Sequence, residues 1–82
     1  MEVIAEGFYY PLCLRFIVIK QENQYIAIAA EQHSTDELRE MIKDKTVEEI
    51  LKLENTSDPD YAVYVTCTKS LDYAMTFVTI LT

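Results

Sequence analysis

LRFIVIKQENQYIAIAA, residues 14–30, is the stretch that decides the fold. Arg15, Ile17 and Ile19 alternate with Phe16, Val18 and Lys20, and the polar run from Gln21 to Gln24 separates them from YIAIAA. Alternating β-branched residues around a short polar break read as the two strands of a hairpin. The break holds no Asn-Gly and no Gly-X pair, so a turn longer than two residues is expected.

Beyond this hairpin the apolar period changes. STDE sets Ser34 three residues ahead of Glu37, with Leu38, Met41 and Ile42 on one face; TVEE sets Thr46 three ahead of Glu49, with Val47, Ile50 and Leu51 as a stripe. Each is a capping box followed by a short amphipathic helix. The two meet near Lys45 almost without a linker. Helices of about two to three turns are marginal alone, so both need a sheet to dock on.

NTSDPD, residues 55–60, is a loop signal. After it YAVYVTCT (61–68) and YAMTFVTIL (73–81) read as strands rich in Tyr, Val, Thr and Phe, with KSLD (69–72) as the turn of a second hairpin. Upstream, Val3 to Tyr10 reads as an edge strand, with Gly7 at a bulge and Pro11 closing it. Alternation puts Phe8 and Tyr10 on one side, with Phe8 toward the core, and turns Tyr9 outward. The expected fold class is α+β: one small domain over residues 1–82, with an antiparallel or mixed five-stranded sheet and two short helices on one face, in the order β-β-β-α-α-β-β.

Composition narrows the function. Seven Lys and Arg stand against fourteen Asp and Glu, a formal net charge of -7. Such a surface repels phosphate and anionic lipid, which disfavours direct nucleic-acid or membrane binding, and attracts basic proteins. No apolar run reaches the roughly 18 residues of a membrane span, and MEVIAEG lacks the basic residues of a signal peptide, so a cytoplasmic location is expected. Cys13 and Cys67 are then expected to be reduced and packed as small hydrophobes.

Chemistry is sparsely signalled. Gly7 is the only glycine, which leaves no phosphate-cradling loop, and His33 is the only histidine, with the cysteines far apart in sequence, so no cofactor or metal site is expected. His33 reads as a solvated residue before a helix, and neither cysteine lies in a glycine-bearing turn, so no enzyme is expected. The paired helices are no DNA reader either. Residues 31–60 carry ten acids against Arg39, Lys43, Lys45 and Lys52.

That excess is the most informative feature of the chain. Asp36, Glu40 and Asp44 recur every fourth residue opposite Leu38, Met41 and Ile42, a like-charge stacking that costs a few tenths of a kcal/mol per pair. With Glu48 they form a candidate acidic docking stripe for a basic groove, including one that normally holds nucleic acid. Tyr9 and Tyr10, in a chain with six tyrosines, are the candidate aromatic contacts. The resulting expectation is a non-enzymatic, acidic protein-binding module that inhibits or regulates a larger basic partner, a niche of phage anti-defence inhibitors, immunity proteins and antitoxins. In size, acidity and sheet-plus-two-helices make-up the chain resembles the phage inhibitors of uracil-DNA glycosylase, with the helices here mid-chain and no residue motif in common. The alternative is a self-associating structural subunit, a homodimer formed through an exposed sheet face or an uncharged sheet edge near Thr66, Thr68, Thr76, Thr79 and Thr82.

Overall fold

A computed structural model describes residues 1–81. The chain runs through strand β1 (Glu2–Tyr9), a 3₁₀ turn (Tyr10–Leu12), strands β2 (Leu14–Gln21) and β3 (Gln24–Ala30) and helices α1 (Thr35–Ile42) and α2 (Val47–Leu51). Strand β4 (Val63–Thr68), helix α3 (Leu71–Thr76) and a second 3₁₀ turn (Phe77–Ile80) follow. The fold is α+β, with one antiparallel four-stranded sheet whose strands lie side by side in chain order. The expected fifth strand is absent among the described residues; Thr82 lies outside them.

The hairpin at residues 14–30 forms in full register, from Arg15 opposite Ala30 to Gln21 opposite Gln24. Its turn is two residues long, which corrects the longer loop expected. Glu22 and Asn23 both adopt left-handed backbone, at φ 53° and 62°. Left-handed geometry at both central positions is that of a type I′ turn, whose twist matches the flanking strands. A tight turn therefore forms without glycine, and Glu22 bears the strain.

One face of the sheet presents Ile17, Ile28 and Val65 in one cross-strand row and Ile19, Ile26 and Cys67 in another. Leu38 and Ile42 of α1 and Val47 and Ile50 of α2 cover these rows and form the main core. Both capping boxes are present: Ser34 Oγ accepts from Glu37 N–H, Thr46 Oγ1 accepts from Glu49 N–H, and each glutamate accepts from its cap's own N–H. The doubled motif thus delivers the two helices that the sequence promises.

The opposite face is also covered. Val18 and Ala27 pack against Ala74 and Phe77, while Leu14 and Ala29 pack against Val78. Residues 73–81, expected as a strand, supply this cover as α3 and the closing 3₁₀ turn. Ser70 Oγ caps α3 by accepting from Tyr73 N–H, and Ala74, Phe77 and Val78 fall at helical spacing. The helix wins because the second sheet face is apolar and needs covering. The far edge of β4 also has a neighbour already, since Asn55 exchanges backbone hydrogen bonds with Val63 at 2.7 and 2.9 Å.

β1 is an edge strand, as expected, but its bulge is not at Gly7. The register steps between Val3 and Ala5, which makes Ile4 the extra residue, while Gly7 pairs regularly with Phe16. Glycine is needed there for space: an added Cβ would stand 3.0 Å from Phe16 Cζ. With both sheet faces covered, alternation along β1 does not separate core from solvent. Tyr9 packs against the cluster of Leu14, Ala29 and Val78, and Phe8 stands on the other face beside Arg15, the reverse of the expected assignment.

Candidate functional site

α1, α2 and their linker carry the carboxylates singled out in the sequence. Asp36 and Glu40 lie on α1 and Glu48 on α2, all exposed. Asp44 does not continue the α1 stripe, because the helix ends at Ile42 and Asp44 turns left-handed at φ 57°. The series spans two helices and the link between them, so the expected repulsion along a single helix is confined to Asp36 and Glu40.

The acids divide by task. Glu37 and Glu49 are spent on the capping boxes, and the backbone N–H groups of Ser34 and Thr46 hold their carboxyls below the ordinary glutamate value. Glu22 Oε2 accepts from Val47 N–H at 3.2 Å, and Glu54 Oε1 accepts from Val65 N–H at 3.2 Å. Glu6 holds Arg39 in the only ion pair among the described residues, at 2.8 Å. Among the described residues Asp36, Glu40, Asp44 and Glu48 enter no hydrogen bond through their carboxylates and no ion pair. Beside Glu48 a shallow recess of about 410 Å³ is walled by Glu22, Gln24, Thr46 and Val47. Its two carboxylates would receive one lysine or arginine side chain.

The tyrosines part company. Tyr10 opens the 3₁₀ turn, is 80% exposed and meets the Phe8 ring edge-on at 4.9 Å. Tyr9 is half-buried against the core, so of the two only Tyr10 is offered to a partner.

A second recess, of about 380 Å³, lies where the turn after β1 meets the start of α1, lined by Phe8, Cys13, Arg15, Glu31, Gln32, His33 and Ser34. Sequence reading gave none of these residues a joint role. Cys13 is exposed at the end of the 3₁₀ turn with φ 53°, not packed as expected, and Gln32 is left-handed as well, at φ 58°. His33 is half-buried, with Nδ1 against the Glu31 carbonyl. A carbonyl only accepts, so Nδ1 carries a proton. Cys67 fits the packing role: its thiol donates to Gln24 Oε1 at 2.7 Å, and burial, aided by the Glu22 charge, pushes its pKa up.

Among the described residues no group of three or more His, Cys, Asp or Glu stands together to hold a metal, and no helix is long and apolar enough to cross a membrane. No protein-family model matches the chain, and no curated protein or solved structure shows significant similarity to it.

Proposed function

We propose that the protein is a protein-binding module that acts without catalysis, docking its acidic α1–α2 face on a larger basic partner and inhibiting or regulating it from the cytoplasm. One observation carries the reading: among the described residues Asp36, Glu40, Asp44 and Glu48 are exposed and engage their carboxylates in no hydrogen bond or ion pair, whereas the neighbouring Glu37 and Glu49 cap helices. Exposed carboxylates on two docked helices and their linker steer and register a positive surface. A groove that ordinarily binds nucleic acid has that character.

Capture from a cell lysate with the whole chain, followed by mass spectrometry, tests this. A basic protein should be retained at low salt, released as salt rises, and lost on neutralising all four carboxylates (D36N, E40Q, D44N, E48Q). Retention of the same protein by the neutralised variant would refute it.

A second reading, self-association, rests on a different feature. The outer edge of β1 has no neighbouring strand, whereas β4 is bridged by Asn55. Of the uncharged edge expected near the C-terminus, Thr66 and Thr68 lie on edge strand β4, beyond the Asn55 bridge at Val63, while Thr76 and Thr79 lie in helical turns. A salt-independent homodimer in light scattering would favour this reading over the first.

A further inference from the structure

We infer that the recess between Phe8, Arg15 and His33 binds a carboxylate group attached to an apolar body. Arg15 Nε is buried with no hydrogen-bond partner, and the guanidinium carbon lies 5.0 Å from the centre of the Phe8 ring. Stacking fixes the plane of the fork but satisfies none of its N–H donors. Nε itself is closed off from the recess, whereas the terminal N–H groups of the guanidinium make no hydrogen bond among the described residues and stay open to a ligand oxygen.

The surroundings sharpen the choice of ligand. In a chain with twice as many acids as bases, Arg15 has no ion pair among the described residues, even though Glu31 lines the same recess. Glu31 and the net charge of -7 penalise a dianion such as phosphate more than a monoanion. A planar guanidinium meets a planar carboxylate with two parallel hydrogen bonds. Gln32 and Ser34 line the same recess as further polar partners, and Phe8 offers an aromatic surface to the body of the acid. The acid is either a free small molecule or the C-terminal residue of a peptide. This site is separate from the acidic face, and neither reading depends on the other.

Cys13 lines the recess and is exposed, so its alkylation reports on occupancy. The whole chain is treated with iodoacetate or iodoacetamide, and modification at Cys13 is followed by peptide mass. The iodoacetate-to-iodoacetamide rate ratio should be at least about tenfold higher in the native protein than in the urea-unfolded chain, with saturation by iodoacetate alone. Arg15→Gln should abolish the excess; the native-to-unfolded comparison stands even if that variant fails to fold. Phenylacetate and acetyl-Ala-Ala-Ala-Phe are the two competitors, with phenylacetamide and the peptide amide as controls. Protection of Cys13 by the small acid marks a metabolite-type ligand, and protection by the peptide acid alone marks a chain terminus. A native ratio at or below that of the unfolded chain, or protection by neither acid, overturns the inference.

Discussion

Glu22, in the β2–β3 turn, accepts the Val47 backbone N–H at 3.2 Å through Oε2 and so ties the hairpin to the first residue of α2. Gln21 makes a parallel link, donating from Nε2 to the Lys45 carbonyl at 2.7 Å. The position of Glu48 on the acidic face is thus set by a turn 25 residues upstream of Val47. Glu22→Ala should cost about 1 kcal/mol in urea melts, the scale of a lost helix cap, and Glu22→Gln should cost less because an acceptor oxygen remains. Equal losses in the two variants would show that the backbone strain, and not the cap, dominates at this site.

Gly7 and Phe16 set a second test. Alanine in a strand interior normally gains about 0.5–1 kcal/mol over glycine. Here the new Cβ would lie 3.0 and 3.1 Å from the ring atoms of Phe16, and overpacking of this kind costs about 1–3 kcal/mol. Gly7→Ala is expected to destabilise, and Phe16→Leu in the same chain should recover part of the loss. A stabilised Gly7→Ala would mean that the ring moves aside freely.

Met75 and Phe77 decide between helix and strand at the C-terminus. In a strand the two side chains would share a face, while in a helix they diverge by about 200°. Phe77 is 8% exposed and Met75 42%. Phe77→Ala should cost about 3–5 kcal/mol and Met75→Ala about 0.5 or less in denaturant melts. Comparable losses at both positions would restore the strand.

The capping glutamates make stability depend on pH. The carboxyls of Glu37 and Glu49 titrate below their ordinary value of 4.5 in the folded chain, because each accepts its cap residue's backbone N–H. A lowered folded pKa means that the contribution is complete above 4.5 and is lost as pH falls through the lower folded value. The double variant Glu37→Gln with Glu49→Gln should flatten the stability curve in that range, losing at neutral pH what the ionised carboxylates contribute and nothing at low pH. Carboxyl titration by NMR checks the direction at each site. An unshifted midpoint at both would contradict the caps.

Local signals in the sequence carried furthest where chemistry is short-range. Ser34 with Glu37 and Thr46 with Glu49 read correctly as helix starts, because a capping box involves only neighbours in the chain. The hairpin at residues 14–30 read correctly as a pair of antiparallel strands but not in turn length, since glycine is favoured in a type I′ turn without being required. Residues 73–81 misled because Tyr, Val, Thr and Phe favour strands, while the apolar face formed by Leu14, Val18, Ala27 and Ala29 exists only once the sheet is assembled. The same second layer inverted Phe8 and Tyr9. The acidic residues were legible one by one, but which were already engaged was not; Glu22 and Glu54 reach partners 25 and 11 residues away. The recess around Arg15 joins residues 8, 13, 15 and 31–34, a juxtaposition set by the strand pairing and invisible to any local pattern.

The central claim is that position on α1–α2, and not net charge, recruits the partner. Two variants with the same total charge separate these: one neutralising Asp36, Glu40, Asp44 and Glu48, the other neutralising the equally exposed Glu2, Asp58, Asp60 and Asp72. Association rates with the captured basic protein are measured for both across a range of salt. The account predicts that the first variant slows association by at least about tenfold and flattens its salt dependence, while the second stays close to wild type. Equal slowing of the two variants, or no slowing of the first, would contradict it.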